Sequence, residues 1–163
     1  MGVRPIRLWG DPVLRTLCEP VTAFDDSLRA LVADLIDTVT AEPGRAGLAA
    51  NQIGVSLRVF SWYVDGGVGH VVNPQLVDTS GEQDGDEGCL SLPGIYAPCQ
   101  RAMRATVCGF DVAGQPITVM GTGLLGRCLQ HETDHLDGRL YIDRLEGEAR
   151  RTAMQAVRHL ATR

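Results

Sequence analysis

Leu28, Leu31, Val32, Leu35, Ile36 and Val39 recur at helical spacing behind Asp25 and Asp26, whose carboxylates suit the free N–H groups of a first turn. The pattern predicts a helix that Pro43-Gly44 stops. Small residues, Gly47-Leu48-Ala49-Ala50, follow as a loop, and the periodicity then becomes strand-like. Residues 57–63, 70–78, 104–111 and 116–120 read as strands joined by glycine-containing turns. The last two form a hairpin across Val112-Ala113-Gly114-Gln115. A second helix is expected over about residues 122–136, with Leu125, Cys128, Leu129, Glu132 and Leu136 on one face. A third, over about 144–160, has Leu145, Ala149, Ala153, Ala156, Val157 and Leu160 as its inner stripe. Strands grouped between helices argue for an α+β domain.

At 163 residues the chain suits a single domain over 1–163, with a substantial core. Apolar residues at 44% and charged residues at 21% are an ordinary balance for a soluble globular protein. The net charge of -5 gives a field that repels nucleic acid, and no basic run overrides it, so DNA is not an expected partner. The start, MGVRPIRLWG, has no apolar signal region, and no stretch approaches a membrane span. No membrane association and a cytoplasmic location are therefore expected. Cys18, Cys89, Cys99, Cys108 and Cys128 are odd in number and too scattered for a disulfide framework. Each is then a small buried apolar group or a chemical one. Every basic residue is an arginine, which removes Schiff-base, pyridoxal-phosphate and Walker-type lysine chemistry.

The sharpest chemical signal is His131-Glu132-Thr133-Asp134-His135, an H-E-x-x-H pattern on the second expected helix. Histidines four apart lie one turn above each other and can reach one ion from a rigid element, while Glu132 can reach a metal-bound water. A catalytic ion usually takes three protein ligands and keeps one position for water. Peptidases of the metzincin type extend the pattern to a third histidine, but Tyr141 stands there. Those of the thermolysin type need a later glutamate; none follows Glu148, and the remaining candidate, His159, reads as exposed or facing the helix dipole. Upstream, Cys89 sits at the centre of Glu87-Gly88-Cys89-Leu90-Ser91-Leu92-Pro93. Alone it reads as a buried structural thiol. Beside a motif short of one ligand it becomes the expected third, because a thiolate suits a borderline-soft divalent ion.

Three blocks in order resemble the peptide deformylases: Gly47-Leu48-Ala49-Ala50-Asn51-Gln52, the Cys89 block, and Gln130-His131-Glu132-Thr133-Asp134-His135-Leu136-Asp137-Gly138. Arg101 and Asn73-Pro74 also fall where similar residues occur, and the resemblance runs from about residue 6 to residue 145. It implies antiparallel strands packed around a central helix carrying the motif, with an N-terminal and a C-terminal helix. It implies a hydrolase that removes the formyl group from the N-terminal formyl-methionine of new proteins, releasing formate. N-formyl-methionyl nascent peptides would be the substrates and the ribosome a candidate partner. One divalent ion is implied, Fe2+ with Zn2+ or Ni2+ able to replace it, on Cys89, His131 and His135. Glu132 would carry the proton, and the Gln52 amide with the Leu90 backbone N–H would hold charge on the formyl oxygen. Gly47 would let the peptide bind as an added strand.

Two features depart from the family pattern. Gly44-Arg45-Ala46-Gly47 carries one residue more between its glycines than the usual G-x-G, and Arg127 stands where an apolar pocket residue is common, narrowing or polarising the methionine pocket. Plainer roles stand beside the functional ones. Gln52 is also a loop amide that caps backbone, and Cys128 is pocket wall or core. Arg101 holds the loop around Cys89, contacts substrate, or is a solvated surface residue. Asp134 and Asp137 read as exposed helix charges, and Cys18, Cys99 and Cys108 as structural. Two rival functions remain: a zincin-like metallopeptidase using His159 or Asp143 as third ligand, and an inactive deformylase-like binding module. The intact Glu132 and Gln52 argue against the latter.

Overall fold

The Asp25 side chain accepts from the Leu28 N–H at 3.1 Å and starts α1 (Asp26–Val39), whose apolar stripe is buried as the spacing predicts. The computed structural model describes residues 2–161, so residues 1, 162 and 163 of the single-domain expectation lie outside the described residues. Asp34 and Thr38, on another side of α1, hold the N-terminal segment: Gly2 N–H donates to Asp34 Oδ1 at 2.8 Å and Arg4 N–H to Thr38 Oγ1 at 2.9 Å.

Two antiparallel sheets follow. β1 (Gly47–Ala49), β2 (Val59–Val64) and β3 (Gly67–Ser80) join β6 (Arg104–Phe110) and β7 (Pro116–Thr122) in the order β1-β2-β3-β6-β7. β4 (Asp86–Cys89) and β5 (Leu92–Pro98) pair only with each other. α2 (Gly123–Leu136) packs on all five strands of the larger sheet, and α3 (Gly147–Ala161) lies against β5. The architecture is α+β, with a helix before and a helix after the strands. No helix among the described residues is long and apolar enough to cross a membrane.

Several expectations are corrected. Residues 47–50 are not a plain loop: β1 is an edge strand, and Ala50–Ile53 then makes a 3-10 turn. The β4–β5 hairpin was not expected, because Asp86, Glu87 and Gly88 are poor strand formers and their partners lie beyond a turn. The third helix begins at Gly147, not near 144. Tyr141–Arg144 forms a separate 3-10 turn that ends in extended backbone at Leu145, although Leu145 continues the same apolar stripe.

The second helix buries more than one face. Leu129 and Leu136 enter the core with Phe60, Val71, Ala105 and Val107. Gly126 permits the close approach, since a Cβ there would stand 2.6 Å from the Met103 carbonyl oxygen. At the other end Gly138, at φ +74°, donates to the His135 carbonyl at 3.0 Å while Arg139 N–H reaches that of Asp134 at 3.0 Å. This double closure ends the helix just beyond the motif.

Asn73-Pro74 interrupts the β3–β6 register, with Asn73 at φ +52°. The Asn73 side chain accepts from Val21 N–H at 2.8 Å and donates to the Val21 carbonyl at 3.0 Å, pinning the N-terminal segment to the sheet. Asn73→Ala removes both bonds and leaves an ill-suited residue at positive φ. It is expected to cost about 2–4 kcal/mol, read as a lower urea midpoint at unchanged slope. A midpoint equal to that of the unaltered protein would refute the pinning role.

Candidate active site

His131 and His135 leave α2 one turn apart, and their Nε2 atoms lie 3.1 Å from each other. Cys89 ends β4 at a register break after Gly88, and its Sγ lies 3.3 Å from His135 Nε2. The three ligand atoms all fall within 4.8 Å of one another. One sulfur and two imidazole nitrogens are a donor set for a thiolate-tolerant divalent ion with an open position. Burial lowers the affinity of His135 for a proton; at His131 burial acts the same way but is outweighed by its contacts with Cys89 and Glu87, which raise that affinity.

Glu132 completes the cage without joining it. Its Oε1 lies 3.8 Å from His131 Nε2, and its buried Oε2 has no hydrogen-bond partner among the described residues. Burial pushes its pKa up to about 7, with His131 opposing and Glu87 adding to the shift. An orphaned carboxylate oxygen beside three convergent ligands fits an ion that carries water.

Gln52, in the 3-10 turn after β1, is oriented by its own backbone. Ala49 N–H donates to Gln52 Oε1 at 3.0 Å, which turns Nε2 towards Ser91 Oγ at 3.1 Å and Cys89 Sγ at 3.7 Å. Capping the backbone and facing the cage are thus two ends of one amide. A cleft of about 340 Å³ opens beside the cage. Leu124, Arg127, Cys128, His131 and Glu132 line it from α2, Gly47 from β1, and Gly88, Cys89 and Leu90 from the hairpin. Tyr63 N–H donates to the Ala46 carbonyl at 2.7 Å. By antiparallel alternation the next residue, Gly47, turns its main-chain groups away from β2. A Cβ at Gly47 would stand 2.6 Å from Cys128 Sγ and 2.8 Å from Glu132 Oε1.

The family model for polypeptide deformylase matches residues 3–151. The chain belongs to the polypeptide deformylase family. It is 62% identical over 158 residues to a peptide deformylase of Acidothermus cellulolyticus, an alignment covering 97% of this chain and 87% of that protein. Among solved structures, a peptide deformylase from Legionella pneumophila superposes with a TM-score of 0.90 at 40% identity, covering 99% of this chain and 96% of that one. The peptide deformylase from Thermus thermophilus gives a TM-score of 0.88 at 40% identity, with 96% and 94% covered.

What holds this deformylase site in place was only partly foreseen. Glu87, quoted in the Cys89 block without a role, is buried. Its Oε2 meets His131 Nδ1 at 2.6 Å and Arg101 Nη2 at 2.6 Å; its Oε1 meets Arg101 Nε at 2.9 Å and Arg127 Nη1 at 2.8 Å. Arg101 also donates to Asp134 Oδ2 at 2.8 Å, and Arg144 grips both oxygens of Asp134 at 2.6 and 2.7 Å. These cations hold the Asp134 carboxyl below the usual range against the opposing effect of burial. The signal available was a carboxylate two residues before a ligand, with arginines to match.

Two residue assignments change accordingly. Arg101 is buried and fully engaged with two carboxylates, and it is not among the residues lining the cleft; of its expected roles, holding the Cys89 loop is the one its contacts fit, and substrate contact is not. Asp134 is a buried member of the network and no exposed charge. Asp137 does stay exposed, paired with Arg58 at 2.9 Å. Arg127 and Cys128 both line the cleft. Tyr141 is buried, stacked on His131 at 6.2 Å between ring centroids, with its hydroxyl donating to the Ile95 carbonyl at 2.9 Å. Neither rival ligand joins the cage: Asp143 bonds Arg15 and the Leu140 N–H, and His159 lies on exposed α3 surface. Cys18 and Cys99 are buried and Cys108 half-buried, away from the ligand group.

Arg101→Met takes three charge-assisted hydrogen bonds from two buried carboxylates, which keep only Arg127, His131 and Arg144, and is expected to destabilise by about 3–5 kcal/mol in denaturant melts. A loss under about 1 kcal/mol would show the network to be dispensable. Gly47→Ala should fold yet lose activity at least tenfold, because the methyl group displaces Glu132 or Cys128. Full activity there would mean that neither needs its present position.

Proposed function

We propose that this chain, as a single catalytic domain over 1–163, hydrolyses the formamide bond of N-formyl-methionyl nascent peptides in the cytoplasm, releasing formate. Family membership over nearly the whole chain supports the reaction. The observation that carries the assignment of residues is the convergence of Cys89, His131 and His135 beside the orphaned carboxylate of Glu132. Cys89, His131 and His135 would hold one divalent ion, Fe2+ in the cell by family resemblance, with Zn2+ or Ni2+ able to replace it. When bound, such an ion makes water available as hydroxide near neutral pH and polarises the formyl group.

The chain's own groups do the rest. Glu132 takes the water's proton and later passes it to the departing amine, work for which a carboxylate tuned towards neutrality is suited. Gln52 Nε2, held in orientation by the Ala49 N–H, donates to the formyl oxygen as charge gathers there. The Leu90 backbone N–H serves the same oxygen from the hairpin side. Gly47 offers its main chain to the substrate as an added strand. Arg127 and Cys128 border the space for the first side chain. The ribosome is the natural place to meet such substrates.

Purified anaerobically, the protein is expected to carry about one metal ion per chain and to release formate from a formyl-methionyl peptide, but not acetate from its acetylated counterpart. Cys89→Ala should lose the ion. Metal retention there with undiminished turnover would show that Cys89 is not a ligand. Glu132→Gln should keep the ion and lose on the order of 10²–10⁴-fold in kcat. Gln52→Leu should lose about 10²–10³-fold with the ion retained.

A further inference from the structure

One stripe of α2 floors the cleft: Leu124, Arg127, Cys128, His131 and Glu132 recur at the three- and four-residue spacing of a single helical face. Arg127 and Cys128 lie one turn before the ligand His131, and Leu124 about one turn before them. A substrate whose formyl group meets the cage has its first Cα only a few bonds away. Its first side chain therefore has the preceding turn of α2 beneath it.

Arg127 is the polar member of that turn, and it is buried. Its Nη1 donates to Glu87 Oε1 at 2.8 Å and to the Cys99 carbonyl at 2.7 Å, two anchors that fix the guanidinium plane. Its Nε and Nη2 take no hydrogen-bond partner among the described residues. Nη2 lies beside Gly85, 3.6 Å from where a Cβ would stand, so no side chain covers it there. A guanidinium has donors only, and these two positions depend on water or on a ligand. A purely aliphatic side chain entering the cleft strips that water and returns nothing; a sulfur or oxygen acceptor replaces it.

We propose that Arg127 is a specificity-determining residue that favours a first side chain bearing an acceptor, so that formyl-methionine sulfoxide is processed alongside formyl-methionine. The proposal rests on the deformylase reading and extends its substrate class. Oxidation turns the thioether into a strongly accepting S=O on a side chain of nearly the same length. Against the all-carbon isostere norleucine, methionine offers a weak acceptor and the sulfoxide a strong one.

The test uses the metal-loaded protein and three peptides alike except for the first residue: formyl-methionine, formyl-norleucine and formyl-methionine sulfoxide. The unaltered protein is expected to show a kcat/KM for the sulfoxide peptide above that for the norleucine peptide; the reverse order overturns the proposal. In Arg127→Met that ratio should fall by about tenfold or more. Loss of an arginine that only supports Glu87 would lower all three rates together and leave the ratio unmoved, which also overturns it. Should Arg127→Met fail to fold, Arg127→Gln, which keeps a donor for the Cys99 carbonyl, takes its place: the same fall in the ratio is expected, and an unmoved ratio overturns the proposal. No turnover of any of the three would instead remove the deformylase reading, and this inference with it.

Discussion

The carboxylate of Glu87 ties the hairpin that carries Cys89 to the helix that carries both histidines. Four donors converge on it, from Arg101, Arg127 and His131, and every one is charged or able to be. A buried anion this well surrounded stays ionised despite the cost of leaving water. It can then orient the His131 ring through Nδ1 and leave Nε2 to face the ligand cage. Without that carboxylate, two arginines and a histidine would lose their shared partner, buried between a two-stranded ribbon and a helix that share no sheet bonds.

The same network explains why charge is abundant inside this domain. Asp134 sits in the motif itself, yet its role is to receive Arg101 and Arg144 from outside the helix. Arg101 thus spans the two carboxylates, and Arg144 brings the 3-10 turn after α2 into the same cluster. Opposite this polar side, Leu129 and Leu136 bury α2 in the larger sheet. The helix is held by packing on one face and by ion pairs on another, which leaves its cleft face to be shaped by chemistry.

What was legible beforehand was what local spacing encodes. The Asp25 cap, the α1 stripe and the one-turn separation of His131 and His135 each need only neighbouring residues to be read. Cys89 was reachable as a candidate third ligand because a catalytic ion demands three, and its sulfur does lie with the two imidazoles. The His131–Glu87–Arg101–Asp134 chain was hidden, since its bonds join residues 44, 14 and 33 positions apart and no periodicity marks them. The β4–β5 hairpin was hidden for a related reason: its strands are short and rich in residues that seldom form strands, and its stability comes from contacts with Tyr141, Leu145 and α3. Asp134 was misjudged because a carboxylate on a helix is ordinarily solvated, and only the arginines of other segments make burial tolerable.

β1 is three residues long and stands at the margin of its sheet, with Gly47 offering bare main chain to the cleft. Peptide groups are the same in every polypeptide, so a margin of this kind grips any sequence by what all sequences share. On the proposed strand addition at Gly47, discrimination would fall to the small space over α2, leaving a single catalyst free to serve many unlike chains.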